Sequence, residues 1–433
     1  MRLRLTLEQD VALGQRPRAS STVSTHRHVP GSVVRGAFAA AWIARHGMPG
    51  GSGRERFVEL FEGGVRFGPL FAAGPPAPLS LVVHKYGHTP ACLQAEWDRA
   101  AGQTPPPACP DCGRALEASK GALPEPPRTR TATHVALTEQ ETAADSQLFD
   151  RDVVAKGSST SFDGAVDGPP ELLRQLQELT RLRIGGRRTT TGAVVPSWQD
   201  DPAPAAPELL ASGQVVLRLA APGVLVDDLG RPSRSPSLGE LERVLGTSVT
   251  VAQAWTRWGT DSGWHAASGL PKPVETVVAA GSTYLLQPAS PATAQALAAL
   301  GERGIGLRRH EGYGALAPPP VRRTTAGAVK ARAVAVRDRA KKDFGPFGLG
   351  LFATVGSAAL RQRVAAELRD VATRRRAEPG AAPLADSILV KVLSSPEGAG
   401  PFPLVRPLML VLGTEDPDLL EAYAELCEKG YQP

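Results

Sequence analysis

Residues 304–316 read GIGLRRHEGYGAL, with four glycines and two adjacent arginines ahead of a proline run. A P-loop needs G-x4-G-K-[ST], a string absent from the chain. A dinucleotide fingerprint needs its glycines after a strand and opening a helix. Here the pattern is helix, glycine loop, strand, so neither nucleotide reading fits. What remains is a glycine turn that lets backbone N–H groups and paired arginines approach a polyanion, with Tyr313 and His310 as candidates for base or sugar contacts. The plain alternative is a helix-to-strand turn with exposed arginines.

The stretch occurs twice. RLRIGGRRTTTGAV at 181–194 repeats I-G-x-R-R, a short spacer and G-A. Ile184, Gly185, Arg187, Arg188 and Gly192 correspond to Ile305, Gly306, Arg308, Arg309 and Gly314, and the spacer differs by one residue. Before the first copy, Leu172, Leu173, Leu176, Leu179 and Leu182 recur at helical spacing. Before the second, Ser290 is the expected N-cap and Pro291 the first helical residue. A strand-like run precedes each helix, at 161–166 and 282–287. Each half also opens on an alternating strand, at 2–14 and 214–226. The chain therefore reads as a duplicated α+β unit, with residues 1–199 and 214–324 as domains and the Pro/Ala-rich 200–213 as linker.

A second segment, HRHVPGSVVRGAFAAAWIARHG at 26–47, reads as a helix capped by Ser32 and closed by Gly47. Val34, Phe38, Ala41, Trp42 and Arg45 share one face, the usual pattern of a core stripe. Arg35 and Gly36 fall in the first turn, where free N–H groups and the helix dipole favour phosphate. His26 and His28, flanking Arg27, are the weak candidates for acid–base chemistry on a ribose hydroxyl, with surface polar residues as the plain alternative.

The formal net charge is +6, the sequence pI is about 9.3 and most basic residues are arginine. That field suits a phosphate partner, although a GC-rich genome gives a similar composition. No apolar run approaches the ~18 residues that span a bilayer, and the N-terminus MRLRLTLEQD lacks a signal-peptide core. A cytoplasmic protein with no membrane partner is expected. Residues 321–380 carry 14 basic and 5 acidic residues, and 381–433 carry 3 and 8. Residues 325–433 are expected to be mostly helical, ending in a helix that starts at Thr414 and stops before Gly430.

Three of the four cysteines lie in an insertion at about 72–130. Cys109-Pro-Asp-Cys112-Gly is a C-x2-C turn that presents two thiolates to one ion. Cys92 is the third expected ligand, His88 the fourth and His84 the reserve, making a structural Zn2+ site in a loop too polar to fold alone. Free thiols are the alternative. Cys427 is expected to be packed.

The opening-helix string VPGSVVRGAFAAAWI, the two Gly/Arg loops and the segment 132–166 (a strand, a loop, LF, then a Gly/Phe hairpin) together resemble the RAMP superfamily of CRISPR-Cas proteins over about residues 1–320. The resemblance implies two tandem ferredoxin-like (RRM-like) domains that bind CRISPR RNA within a multisubunit effector complex. Two such domains with a cysteine insertion look most like the subunit capping the 5′ repeat-derived tag in type III complexes, and within these like the type III-D Csx-ten group. On that reading Ser32, Arg35, Gly36, Gly185, Gly186, Arg187, Arg188, Gly192, Gly306, Arg308, Arg309, His310, Gly312, Tyr313 and Gly314 contact RNA. The implied partners are the CRISPR RNA, a large signalling or polymerase-like subunit, backbone RAMP subunits and, indirectly, target RNA. The related processing endoribonucleases supply an alternative, in which His26 or His28 cuts precursor CRISPR RNA without metal. A general RNA-binding protein outside CRISPR defence is the third reading.

Overall fold

The computed structural model describes residues 1–14, 22–87, 92, 94–157, 160–186, 190–200, 206–265, 270–320, 334, 336–341, 358–377 and 416–429. Two units are compact: Met1–Val83 with Glu96–Pro107 and Leu116–Val321, and His84–Ala95 with Ala108–Ala115 and Arg322–Pro433.

In the first unit, β1 (Arg2–Leu7) buries Leu3, Leu5 and Leu7 and turns Arg2, Arg4 and Thr6 the other way, as period-two geometry requires. Then follow α1 (Gly31–His46), β2 (Arg66–Phe67), β3 (Ser161–Asp167), α2 (Pro170–Gln177) and β4 (Ala193–Gln199). The sheet order is β4-β1-β3-β2, antiparallel at each pairing, with the short strand Leu182–Arg183 outside β4. Phe38 and Trp42 of α1 and Leu172 and Leu176 of α2 pack with Leu3, Leu5, Phe67 and Phe162 into one core. The hairpin Thr129–Leu137 with Ala143–Val154 projects between β2 and β3 in sequence.

The second half repeats the sequence of elements: β5 (Val215–Arg218), α3 (Leu238–Leu245), β6 (Val249–Trp255), β7 (Thr283–Pro288) and α4 (Ala294–Arg303). Again the first strand lies beside the third and the third beside the second. The fourth strand shrinks to a bridge between Leu219 and Leu316, supported by the Ala220 N–H donating to the Ala315 carbonyl at 2.8 Å. Leu217, Leu241, Tyr284, Leu286, Leu297 and Leu300 form its core.

Three local expectations need correction. Helix α1 starts at Gly31 after Pro30, with no side-chain cap, so Ser32 sits inside the first turn. Helix α4 is capped by Thr293, whose hydroxyl accepts from the Ala296 N–H at 3.1 Å. Ser290 bonds Thr247 instead, at 2.9 Å, and so is not available as a cap. Within the expected linker, Glu208–Leu209 is a strand paired to β5. Residues 201–205 lie outside the described residues.

The insertion is anchored on the second half rather than on the first, into which it is inserted. Its strands Leu81–His84, Glu96–Asp98 and Leu116–Ala118 form a small sheet. The Leu79 N–H donates to the Gly281 carbonyl at 2.7 Å, and the Arg99 guanidinium lies 5.6 Å from the Trp255 ring. The deepest tie is Arg218 on β5, only 2% exposed. It donates to Asp98 and to Glu208, both at 2.7 Å, while Asp98 also accepts from the Ser80 hydroxyl at 2.6 Å and the Ala100 N–H at 3.0 Å.

In the second unit, α5 (Ala358–Ala377) and α6 (Pro417–Lys429) pack through Val364, Leu368, Val371, Leu420 and Tyr423, and Cys427 is buried among them. The basic and acidic halves of the tail thereby meet. Arg369 binds Glu428 in a two-pronged pair, and Arg376 bonds Asp418 at 2.8 Å and Glu421 at 2.7 Å. The expected helix termini Thr414 and Gly430 lie outside the described residues. Among the described residues, no helix is long and apolar enough to cross a membrane.

Removing one partner of a buried ion pair leaves the other charge uncompensated, at about 3–5 kcal/mol. Arg218→Met is therefore expected to lower unfolding free energy by about that amount, measured by denaturant titration of the full chain.

Candidate nucleic-acid interface and metal centre

The two glycine loops use one hydrogen-bond scheme. In the first, the Ile184 N–H donates to the Gly192 carbonyl at 2.9 Å. The Gly192 N–H donates to Asp10 and the Gly186 N–H to Ala12, both at 2.9 Å. In the second, the Ile305 N–H donates to Gly314 at 3.0 Å, the Gly314 N–H to Pro222 and the Leu307 N–H to Val224 at 2.9 Å. Each loop closes on the chain just beyond the first strand of its own half.

The glycines are needed for that closure. Gly185, Gly192, Gly306 and Gly314 all have φ between 65° and 88°. A Cβ at Gly192 or Gly314 would run into the carbonyl of Ile184 or Ile305, and one at Gly306 would lie 2.6 Å from the Val224 oxygen. The close backbone approach that their type suggests is an approach of the chain to itself. Gly186 has a negative φ and looser surroundings. Arg187 and Arg188 lie outside the described residues.

The second loop also meets the opening of α1. A Cβ on Gly31 would touch the Phe67 carbonyl and lie 2.6 Å from the Glu311 oxygen, and Gly312 would meet Phe67 and Gly31 in turn. The first turn of α1 is thus filled by protein backbone rather than open to a phosphate. Arg35 turns away to the Phe61 carbonyl and the Glu62 carboxylate. Gly36 is exposed, with open space where a side chain would be.

The loop arginines are neutralised from within the chain. Arg308 holds Glu275 and, at 2.8 Å, Glu311, and Lys272 reaches the same Glu311 at 3.1 Å. Burial alone would raise the Glu311 pKa, but Arg308 and Lys272 hold it at about 2. Arg309 pairs with Glu240, which Arg303 also approaches at 3.5 Å. Tyr313 is buried beneath Arg308, 4.7 Å from its ring, and donates its hydroxyl to Asp261 at 2.6 Å. Burial and the Asp261 charge raise its pKa. In this structure the ring is packed within the second half and is not presented for base stacking. His310 is half-buried, and burial lowers its pKa.

His26 and His28 adjoin this region, with ring centroids 5.4 Å apart and His28 stacked on Phe71 at 5.5 Å. Burial lowers both pKa values, that of His28 to about 3. Burial thus favours the neutral imidazole over the imidazolium at both positions, most strongly at His28.

Arg66, on the edge strand β2, carried no signal in the sequence. It lines a cleft of about 950 Å³ together with Arg2, Phe71, Arg303, Arg309 and Tyr313. Its Nε is buried with no hydrogen-bond partner.

In the second unit, His84, Cys92, Cys109 and Cys112 bring their donor atoms within 4.8 Å of one another. Cys92 Sγ is 3.9 Å from Cys109 Sγ and 3.8 Å from His84 Nε2. Bonds of ~2.3 Å in a tetrahedral site put thiolates ~3.8 Å apart, so this set can hold a metal ion. The C-x2-C turn closes through the Gly113 N–H donating to the Cys109 carbonyl at 2.8 Å. His84 Nδ1 lies 2.9 Å from the Ala95 carbonyl. That contact fits an Nδ1–H tautomer whose Nε2 lone pair faces the thiols. Although burial opposes it, the Arg114 N–H and the neighbouring thiols lower the Cys112 pKa, while burial raises that of Cys109. The reserve ligand His84 thus stands with the cysteines, and His88 lies outside the described residues.

Residues 112–318, just under half the chain, match the family model described as CRISPR-associated protein (Cas_Cmr3). No curated protein matches the chain. Among solved structures, a chain of the type III-B Cmr-beta complex bound to cognate target RNA and AMPPnP is similar at 11% identity and TM-score 0.40, over 66% of this chain and 86% of that one. A chain of the Csm3-Csm4 subcomplex of the type III-A interference complex is similar at 9% identity and TM-score 0.33, over 67% and 94%. A Cas6-related protein of Pyrococcus furiosus follows at 7% identity and TM-score 0.29, over 74% and 98%. The chain is thus similar, across both glycine loops, to a family of CRISPR-associated proteins.

If the loop glycines serve the fold, Gly314→Ala is expected to destabilise the chain by about 2 kcal/mol or more. Gly36→Ala, in an open helix interior, is expected to stabilise it by up to about 1 kcal/mol. Thermal unfolding of the two variants measures both.

Proposed function

We propose that the chain is a CRISPR RNA-binding subunit of a type III effector complex, built from two ferredoxin-like halves and capping the 5′ repeat-derived tag of the guide. The observation carrying this reading is the family match spanning both glycine loops, on a chain whose halves repeat one strand–helix order. The proposed RNA face comprises Arg35, both glycine loops and the cleft between the halves. Electrostatics set how such a face works. With Arg35, Arg308 and Arg309 held by carboxylates, RNA phosphates must displace or share those pairs, so binding weakens with salt through counterion release. Other subunits of the complex are the proposed protein partners. The neutral state of His28 argues against its acting as a general acid in cleavage.

We further propose that His84, Cys92, Cys109 and Cys112 hold a structural Zn2+, which would cross-link the ends of a Pro-rich loop with little core of its own. Four protein donors would fill a tetrahedral shell and leave no position for a reacting water, so the ion's role would be folding rather than chemistry.

Purified protein incubated with labelled repeat-containing RNA, without added divalent cation, is expected to retain the RNA on a native gel and leave it uncut on a denaturing gel. Discrete cleavage lost in His26→Ala or His28→Ala would overturn the reading in favour of a processing nuclease. Equal affinity for RNA lacking the tag would favour a general RNA-binding protein. For the metal, elemental analysis is expected to give about one zinc per chain. Cys112→Ser or His84→Ala should reduce it, and Cys427→Ser should not.

A further inference from the structure

We infer that Arg66 is the anion-binding residue of the cleft between the two halves and contacts an RNA phosphate there, a role that the glycine-loop arginines fill only in part. The inference rests on the RNA-binding reading above and deepens it by naming a phosphate contact that no sequence motif marks.

The argument is one of uncompensated charge. A guanidinium removed from water and left without an acceptor is destabilising, so chains normally supply a carboxylate or carbonyl. The arginines of the sequence motifs follow that rule: Arg35 has Glu62, Arg308 has Glu275 and Glu311, and Arg309 has Glu240. Arg66 departs from it. It is half-buried on the last strand of the sheet, its Nε is shielded from solvent, and no acceptor is found for that group among the described residues. Asp167 stands opposite Arg66 in the strand register but makes no hydrogen bond to its Nε. Asp163 takes Arg4 at 2.8 Å and Arg2 at 3.8 Å, and Asp167 lies 3.9 Å from the N-terminal amine.

On the opposite wall Arg303 and Arg309 both approach Glu240, and Glu302 adds a second carboxylate, so that wall is close to neutral. The lining also includes Gly74, where a Cβ would meet only Pro124, at 3.7 Å. A cleft of about 950 Å³ whose first-half wall sets the N-terminal amine, Arg2 and Arg66 against Asp163 and Asp167 suits a phosphodiester chain. Arginine is the side chain suited to that task, because its planar fork accepts two phosphate oxygens at once.

The experiment uses the full chain with its metal and compares Arg66→Gln with Arg308→Gln. Fluorescence anisotropy with labelled repeat-containing RNA over a salt series is expected to show Arg66→Gln weakening binding roughly tenfold and lowering the salt slope by about one. Arg308→Gln should change the slope less. In the absence of RNA, Arg66→Gln should keep or raise Tm, since it removes an uncompensated charge, and a merely structural arginine would lower it. Wild-type affinity and slope in Arg66→Gln, or a clear loss of its Tm, would overturn the inference. Inorganic tripolyphosphate separates this inference from the RNA reading. If the wild type binds no RNA but tripolyphosphate raises its Tm and not that of Arg66→Gln, the anion site stands and the RNA reading falls. If tripolyphosphate also leaves the wild type unmoved, both fall.

Discussion

Each half of the chain depends on one closure. A glycine loop folds back so that its own N–H groups reach the backbone just past the first strand, at residues 10–12 in one copy and 222–224 in the other. The closure fixes where the strand after the second helix begins, and so the edge of the sheet. It works only if Gly192 and Gly314 lack side chains, because the isoleucine carbonyls fill the space a Cβ would take. The paired arginines in the same motif follow a different logic. In the second copy they hold Glu311 of the loop itself and Glu240 and Glu275 from two other elements, so the motif couples backbone closure to a ring of ion pairs.

The loop that carries this ring also touches the first half. Gly312 packs against Gly31 and Phe67 of the first half, and Tyr313, covered by Arg308, bonds Asp261 of the second. The insertion makes a second join, through Asp98 and Arg218. Buried ion pairs of this kind add little net stability over apolar packing, but each is severe to break on one side. They define which surfaces meet. Two halves with similar strand order thereby adopt one relative placement rather than several.

The loop that carries the candidate metal ligands poses a different problem. A stretch this rich in proline and polar residues buries little apolar surface of its own, and a bound ion would cross-link it. Three thiols and one imidazole within 4.8 Å provide the donors. Among the described residues of the tail, α5 and α6 hold each other through a short apolar stripe and arginine–carboxylate pairs along the rim. The charge split of the sequence is the complementarity of that pair.

Much of this was legible in the sequence because it is local. Period-two alternation marked β1, leucine spacing marked α2, and the doubled I-G-x-R-R string marked the repeat. The C-x2-C spacing with Cys92 named three of the metal donors. Tertiary structure alone decided the rest, for one physical reason: a residue type states what a side chain can do, whereas its partner is chosen by packing across long sequence separations. Glycine could have served a ligand, and closure made it serve the chain. Arginine could have served phosphate, and Glu275, 33 residues away, reached Arg308 first. Ser290 could have capped a helix, but Thr247 took its hydroxyl. Arg66 looked like any other strand residue, and only the folded cleft showed a buried guanidinium Nε without an acceptor.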